Sequence, residues 1–262
     1  NLGNASSAVV LGDATNKGIL SYTGNDATYT RGFTISAGGG EIDVATSGKT
    51  LYLNTGSIST SGTFTFGGAG GFENSSVILG SGGVTWAPGG MSVTYAASTY
   101  TGVTTVLRYL TCGTDALSGQ NGAFGNAASD VLVGDATHGG TINIRYGNFT
   151  VGRNITVQVG SGSVFIQGNW SGTQTFSGNI ALNRDAGLIE FDASGTTVFS
   201  GVISGSGNIS MVIGANNGTV VFSGANTYTG TTDVASGTLI LGTNAPSGAD
   251  GALGHATSAV LL

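Results

Sequence analysis

Charged side chains are scarce in this sequence, and those present are mostly acidic. Only 8% of the 262 residues are Asp, Glu, Lys or Arg, and 7 basic against 13 acidic residues give a formal net charge of -6. Nucleic acids and anionic membrane faces are bound by clustered Lys and Arg, which so few basic residues cannot supply. The composition therefore excludes nucleic acid and an anionic membrane surface as expected partners.

Cysteine, proline and long apolar runs are also nearly absent. The single Cys112 excludes an internal disulfide, which is compatible with a secreted protein held by hydrogen-bonded sheet. Two Pro beside 49 Gly fit neither collagen nor a disordered tract. With no apolar run of roughly 18 residues, no helix of this segment is expected to insert into a membrane. Asn1 is preceded by neither an initiator Met nor a signal peptide, so we expect a processed product or an excised piece.

Short apolar runs separated by glycine dominate what remains. In Ser200 to Gly242, runs of β-branched and apolar residues alternate with Gly, Ser and Asn, the pattern of short strands cut by tight turns. No helix is expected there. The predicted strand cores are Val202-Ile203, Ile209 with Met211 and Ile213, Val220 to Phe222, Val234, and Leu239 to Leu241.

Other strands alternate apolar with polar residues. Thr63 to Phe66, Thr141 to Ile144 and Ile155 to Val159 place apolar side chains on one face and hydroxyl or amide groups on the other. A half-buried strand requires this alternation. We expect the apolar face to point into the core.

A long internal repeat is present. LGNASSAVVLGDAT at Leu2 to Thr15 returns as FGNAASDVLVGDAT at Phe124 to Thr137, an offset of 124 − 2 = 122. A third copy, LGHATSAVLL, begins at Leu253 and ends at Leu262. The sequence thus predicts one solenoid, 1–262, built from repeats at about 1–122 and 123–251 with the start of a third at 252–262.

The spacing inside the repeat changes in steps close to one coil. If Glu41-Ile42-Asp43 matches Glu190-Phe191-Asp192, the offset there is 190 − 41 = 149, compared with 122 at the start of the repeat. About one coil would then have been inserted before this point in the second repeat, and another deleted after it. A barrel would not absorb such insertions, because its strand number and closure are linked. The fold predicted is an all-β parallel β-solenoid of roughly a dozen coils, with about 22 residues per coil. Its length would be on the order of 55 to 60 Å.

A family resemblance lies in the same stretch. SGVISGSG, a strand, SGANTYTGTT and SGTLILG, all within Ser200 to Gly242, resemble the passenger-associated repeat of bacterial autotransporters. The resemblance implies a right-handed parallel β-helix displayed outside the cell, on the bacterial outer surface. It covers roughly a sixth of the chain.

Two pairs of carboxylates are the weak candidates for chemistry. Glu41 with Asp43, and Glu190 with Asp192, stand at i, i+2 and would share one face of a strand, where they could serve glycoside cleavage or hold Ca²⁺. The favoured interpretation is that they are outward, solvating positions around Ile42 and Phe191. We therefore expect no catalytic residue, no cofactor and no metal.

The remaining reactive side chains favour structural roles. His138 and His255 have no second His or Cys at ligand spacing, and Cys112 is expected to be a small core residue. Trp86, Trp170 and Tyr100 could stack on sugars, although aromatic residues on strands are more often packing residues.

The function expected is structural and adhesive, not enzymatic. We expect a repeat segment of a long extracellular or cell-surface β-helix, whose partners are surface glycans, host or neighbouring cells, and further repeats or other copies end to end. Open sheet edges at both ends invite such stacking. The residues assigned to those ends are Leu2, Gly3, Asn4, Val260, Leu261 and Leu262. The alternative is a polysaccharide-acting β-helix enzyme or a phage tailspike.

Overall fold

The computed structural model describes residues 7–211, 218–246, 249–255 and 259–261. These ranges contain 29 short strands and no helix, so no helix within them could cross a membrane. The strands form four sheets in which every strand pairs with its neighbours in parallel. This confirms the all-β parallel solenoid predicted from the sequence.

The first two sheets are named A and B. Sheet A has four strands: β1 (Val9–Leu11), β4 (Phe33–Ile35), β7 (Ile58–Thr60) and β10 (Ile78–Gly80). Sheet B has nine: β2 (Gly18–Tyr22), β5 (Gly40–Val44), β8 (Phe64–Gly68), β11 (Val84–Trp86), β13 (Thr104–Val106), β15 (Val131–Val133), β18 (Ile155–Val157), β21 (Ile180–Leu182) and β24 (Ile203–Gly205).

The other two sheets are named C and D. Sheet C has eleven strands: β3 (Ala27–Tyr29), β6 (Thr50–Leu53), β9 (Gly71–Asn74), β12 (Ser92–Thr94), β14 (Tyr109–Cys112), β16 (Gly140–Ile144), β19 (Val164–Gly168), β22 (Ala186–Glu190), β25 (Ile209–Ser210), β27 (Thr232–Asp233) and β29 (Val260–Leu261). Sheet D has five: β17 (Thr150–Val151), β20 (Gly172–Phe176), β23 (Gly195–Phe199), β26 (Thr219–Phe222) and β28 (Thr238–Leu241).

Most coils contribute one strand to each of three faces, but β13 to β16 alternate between sheets B and C alone, and β26 to β29 alternate between sheets D and C. The chain visits sheets A, B and C in turn through its first coils, and D takes the place of A in that order from β17 onward. Sheet C, which runs through all the coils, contains eleven strands and therefore about ten turns. At about 4.8 Å per strand, the stack is on the order of 48 Å long. The coil number is close to the dozen predicted, and the right hand of the solenoid stays a prediction.

The core is a set of rows in which like residues stack on like. In sheet B one such row runs from Ile42 through Phe66 and Trp86 to Val106. All four are 0 or 1% exposed. The residues that alternate with the buried ones along β5 and β11 are half-buried. Apolar burial at about 25 cal/mol per Å² stabilises the stack, because each coil covers the next.

Aromatic rings make two of these rows especially large. Phe66 stacks on Trp86 with ring centroids 3.8 Å apart and planes 5° apart. In sheet D, Phe176, Phe199 and Phe222 follow one another in register, with centroids 5.2 Å and 5.8 Å apart. The fold thus gains offset and edge contacts beyond the burial itself.

Asparagine side chains join neighbouring coils at a corner. Asn154 Oδ1 accepts a hydrogen bond from the backbone N–H of Asn179, one coil later, at 3.0 Å. Asn179 Oδ1 accepts in turn from Val202 N at 2.9 Å. Buried or corner backbone donors need such partners where the sheet ladder is interrupted.

The two long repeats fold alike where their sequences match best. Asp13 Oδ1 accepts from the N–H of Thr15 and Asn16, at 2.8 and 2.7 Å. Asp135 Oδ1 accepts from Thr137 and His138 at the same two distances. The GDAT motif is therefore a tight loop closed by the aspartate, as short polar side chains commonly do.

A second shared feature is a loop that forms an antiparallel bridge to the preceding coil. Ser98 bridges Gly122, and Asn226 bridges Gly251. The hydroxyl of Tyr228 lies 2.6 Å from Thr232 Oγ1, and Tyr100 makes the equivalent bond at 2.7 Å to Thr104. This loop lengthens its coil. Ser92 pairs with Leu110 one coil later, but the next partner in the row, Ile142, lies much farther along the chain from Leu110. The repeat boundaries themselves stay a prediction.

Most predicted strands are present within a residue or two. The strand predicted at Thr141 to Ile144 is β16, and that at Val220 to Phe222 lies within β26. The strand expected at Val234 is displaced to Thr232–Asp233. Ile213 lies outside the described residues.

Candidate functional site

Three aromatic side chains lie exposed in a line across the coils, and we name Tyr95, Tyr146 and Trp170 the aromatic strip. They are 38%, 43% and 38% exposed. The Tyr95 and Tyr146 ring centroids are 6.1 Å apart, and those of Tyr146 and Trp170 are 5.7 Å apart. The strip follows the end of sheet C, because Thr94, Ile144 and Gly168 belong to one row of that sheet.

A missing side chain lets the strip close across one coil. The coil between Tyr95 and Tyr146 carries Gly113, and a Cβ atom built there would collide with the Tyr95 ring. Tyr95 therefore lies over Gly113 and reaches the next coil. Partial burial raises the pKa of the Tyr95 hydroxyl, with Glu73 adding to the effect.

Tyr146 has a strained backbone. Its φ is +70°, and the only other non-glycine residue with positive φ among the described residues is Thr55. A bulky side chain in this left-handed region is uncommon and costs on the order of 1–3 kcal/mol. The Arg145 guanidinium lies 5.0 Å from the Tyr146 ring centroid, within cation–π range. Such strain is characteristic of functional positions.

A groove of about 450 Å³ lies beside the strip. Its walls combine apolar and polar side chains, among them Met91, Tyr109, Arg145, Phe165, Gln167 and Asn169. Gln167 Nε2 donates to Asn143 Oδ1 at 3.0 Å, and Asn143 Nδ2 donates to Thr111 Oγ1 at 3.1 Å. Asn143 and Thr111 are fully buried, so these bonds hold the amide of Gln167, which lines the groove, in one orientation.

The groove continues into a second, more polar cavity of about 310 Å³ that shares Gly89, Tyr109 and Thr141 with it. Arg108 and His138 line this part. His138 Nδ1 is 3.0 Å from the Asp135 carboxylate. Among the described residues that line either cavity, none is Asp or Glu, whereas two are Arg.

This arrangement suits a chain of sugar rings. Exposed aromatic faces can stack on the apolar faces of pyranose rings, and a concave wall of fixed amides and hydroxyls supplies directional hydrogen bonds. Arginine pairs with carboxylate or sulfate in bidentate geometry. An elongated anionic glycan is a ligand whose chemistry would match these features.

The first carboxylate pair lies elsewhere, on sheet B. Glu41 and Asp43 flank the buried Ile42, as predicted. Glu41 pairs with the ammonium of Lys17, and Asp43 accepts from Ser21 Oγ at 3.1 Å. Each carboxylate thus has a partner on the preceding coil.

The second carboxylate pair contradicts the prediction. Glu190 is buried, 3% exposed, and Phe191 is 42% exposed, so the outward position is the aromatic one. The proposed match of Glu41-Ile42-Asp43 to Glu190-Phe191-Asp192 is wrong, because Glu41 lies in sheet B and Glu190 at the end of β22 in sheet C. An acidic-apolar-acidic sequence pattern does not by itself show whether its first residue lies on the inner or the outer face of the strand.

Asp192 is exposed and closes a turn. Its Oδ1 accepts from Ser194 N at 2.9 Å and from Ser194 Oγ at 2.7 Å, which lowers the pKa of the Asp192 carboxyl. Glu190 and Asp192 therefore do not act as a pair facing solvent. In the part of the chain that is described, no three His, Cys, Asp or Glu side chains converge as metal ligands would.

The other single residues divide between core and loop. Cys112 is 0% exposed and Trp86 and Tyr100 are at most 1% exposed, as expected of packing residues. Burial raises the pKa of the Cys112 thiol. His255 Nδ1 lies 2.8 Å from Asp250 Oδ1 on a loop. Of the three aromatic residues weighed for sugar stacking, only Trp170 is exposed.

Sequence reasoning missed Tyr95, Tyr146 and Arg145. These residues are far apart in the chain and belong to different coils, so no local motif joins them. The signal that existed is Arg145-Tyr146-Gly147, an aromatic beside a turn glycine, which is weak by itself.

The residues assigned to the ends are only partly described. Val260 and Leu261 form β29, which pairs with β27 and leaves both side chains exposed, 38% and 54%. Leu2, Gly3, Asn4 and Leu262 lie outside the described residues. End-to-end contact through these positions stays a prediction.

Fold and site define a parallel β-solenoid whose outer face carries an aromatic-lined groove. Residues 215–241 of the chain match the family model of the passenger-associated-transport-repeat, which confirms the resemblance drawn from Ser200 to Gly242. The match spans 27 of 262 residues. No curated protein and no solved structure matches the chain significantly. The repeat family belongs to autotransporter passenger domains, so the match and the fold support a passenger-domain repeat of a surface or secreted protein.

Proposed function

We propose that this chain is a structural and adhesive repeat segment of a cell-surface or secreted β-helix protein, and that it binds an acidic polysaccharide along its aromatic strip and groove. The observation that carries the proposal is the exposed alignment of Tyr95, Tyr146 and Trp170 along the stack of coils. More than a third of each side chain stays exposed, and exposed apolar surface that is contiguous commonly marks a binding site.

Charge supports an acidic ligand. The chain has only 7 basic residues, yet Arg108 and Arg145 both line the continuous groove. A local positive potential on a protein of net charge -6 selects anions over neutral polymers. Binding should therefore weaken as ionic strength rises.

Binding without cleavage is the form of the proposal. Hydrolysis of a glycosidic bond ordinarily requires two carboxylates on either side of the scissile bond. The described groove residues include none, and the carboxylates Glu41 and Asp43 lie on another sheet.

The test compares variants in equilibrium binding to polygalacturonate and to neutral dextran. Trp170→Ala and Arg145→Gln should each weaken polygalacturonate binding roughly tenfold, equivalent to about 1.4 kcal/mol. Val159→Ala, which truncates a side chain that is 69% exposed, and Lys49→Gln are the matched controls and should leave it unchanged. If the unchanged protein binds dextran as tightly as polygalacturonate, the arginines do not select an acidic ligand.

Two results would overturn the proposal. If Trp170→Ala binds like the unchanged protein, the strip is not the site. If polygalacturonate is shortened during incubation, the enzyme alternative replaces the adhesive function.

End-to-end assembly is a separate part of the proposed function. An apolar cavity of about 210 Å³, lined by Leu20, Tyr22, Tyr29, Phe33 and Leu51, lies at the first coils, where a further coil would continue the rows. A second copy or a further repeat fits it, since it would extend the same parallel ladders. Sedimentation of the chain with and without residues 253–262 tests this, and unchanged assembly after truncation would count against it.

A further inference from the structure

A buried polar cluster lies inside the solenoid, and none of its side chains lines the groove. Gln174 and Thr197 are in-register neighbours on β20 and β23, one coil apart, and both are 0% exposed. Thr197 Oγ1 donates to Glu190 Oε2 at 2.7 Å. Glu190 Oε1 accepts from the backbone N–H of Asp192 at 2.8 Å.

The three side chains converge on one point. Gly168 stands directly beneath Glu190 in its row, and a Cβ atom built on Gly168 would collide with Thr197 Oγ1, Glu190 Oε2 and Gln174 Oε1. The space left by the missing side chain is therefore filled by a hydroxyl, a carboxylate and a carboxamide from different elements.

The carboxamide of Gln174 is unsatisfied. Neither its Nε2 nor its Oε1 has a hydrogen-bond partner. Leaving a buried polar group without partners destabilises the folded state, so each such group in a folded protein requires an explanation. A nucleophile with an adjacent base is present beside this amide.

We propose that Gln174 and Thr197 form an intramolecular ester cross-link between adjacent coils, with Glu190 as the proton carrier. The Thr197 hydroxyl oxygen attacks Cδ of Gln174 while its proton passes to the Glu190 carboxylate. The tetrahedral intermediate then collapses, the Cδ–Nε2 bond breaks, and Glu190 returns the proton to the leaving nitrogen. One C–O bond forms, one C–N bond breaks, one ammonia leaves, and no oxidant or reductant is needed.

The surroundings favour this step. Burial raises the pKa of the Glu190 carboxyl, which brings a weak base closer to the range in which it can both accept and return a proton. The sheet register holds nucleophile and amide together, so the reaction is intramolecular. Loss of ammonia also removes an unsatisfied buried donor. In a chain with one cysteine, such a link would take the place of a disulfide.

The test is the intact mass of the natively purified chain, measured after unfolding. The expected mass is lower than that of the sequence by one ammonia molecule, and peptic peptides containing Gln174 and Thr197 should appear joined until treated with hydroxylamine. Thr197→Val and Glu190→Gln should each restore the full mass. Thr197→Ser keeps the hydroxyl and should retain the link.

The chain contains its own control pair. Thr111 and Asn143 are also in-register neighbours, with Asn143 Nδ2 donating to Thr111 Oγ1, but no carboxylate is bonded to that hydroxyl. Their peptides should stay separate. A full intact mass for the unchanged chain, or a link that survives Glu190→Gln, would overturn the proposal, and neither result bears on glycan binding.

Discussion

Tyr146 combines an exposed aromatic ring with a backbone conformation that glycine adopts more easily. The left-handed region costs a non-glycine residue on the order of 1–3 kcal/mol, and the rest of the coil must hold it there. The strained residue lies between Tyr95 and Trp170 in the aromatic strip. Residue-scale strain and the proposed site therefore coincide.

Replacing Tyr146 by Gly and by Ala separates the backbone from the ring. Both variants lose the ring and should bind polysaccharide more weakly. Tyr146→Gly should nevertheless be about 1 kcal/mol more stable than Tyr146→Ala in urea unfolding, because only glycine relieves the positive φ. Thr55, at φ +71°, is the matched control. Its Gly variant should likewise be more stable than its Ala variant, without any change in binding, whereas equal stability within both pairs would refute the strain.

The two aspartates of the GDAT loops should titrate together and low. Hydrogen bonds from Asn16 and Thr15 lower the pKa of Asp13, and those from Thr137 and His138 lower that of Asp135. A carboxyl with a depressed folded pKa adds stability above its unfolded pKa, about 3.9, and loses it as the pH falls through the folded value. Carboxyl NMR titration should place both below that value. An ordinary pKa at either site would mean that the loop is open in solution.

At the scale of elements, the rows of stacked side chains decide which strands hold the solenoid together. Phe199 lies between Phe176 and Phe222 and is 0% exposed, whereas Phe191, on the same coil, is 42% exposed. A buried row member leaves a cavity when truncated, since the coils above and below cannot collapse into it.

Phe199→Ala should therefore lower the free energy of unfolding by about 3–5 kcal/mol. Phe191→Ala is the same substitution at an exposed position and should change it by less than about 1 kcal/mol. Equilibrium denaturation of both variants measures the difference. Comparable losses would show that the sheet D row is not a continuous core.

Strands were predictable because alternation and glycine spacing are local properties of the sequence. Thr141 to Ile144 shows the pattern and forms β16. Whether a polar residue lies on the inner or the outer face of its strand was not always determined by its sequence neighbours. Glu190 is tolerated inside only because Gly168 below it leaves space and Thr197 donates to it, and both contacts come from elsewhere in the chain. The aromatic strip was missed for the same reason, since only the coil register brings its three rings together.

At the scale of the whole molecule, the solenoid should tolerate changes in units of one coil. Phe72 pairs with Ser92, so removal of residues 72–91 would place Ser92 directly after Gly71 in the same register. We expect that variant to keep a strand-rich circular dichroism spectrum and a cooperative melt. Deleting only 72–81 removes half a coil, shifts every later residue relative to the three faces, and should abolish cooperative unfolding. Similar melts for both deletions would contradict a register set by stacked coils.

The parallel solenoid fold and the family match support a passenger-domain repeat, and we propose that one face of this solenoid binds glycan. The two tryptophans offer a direct measurement of that claim, because Trp86 is 1% exposed and Trp170 is 38% exposed. Acrylamide quenching of tryptophan fluorescence should therefore report almost entirely on Trp170. Saturating acidic oligosaccharide should protect that emission in the unchanged chain and have no effect in Trp170→Ala. Quenching that is the same with and without oligosaccharide, at concentrations where binding is otherwise detected, would contradict a site on the aromatic strip.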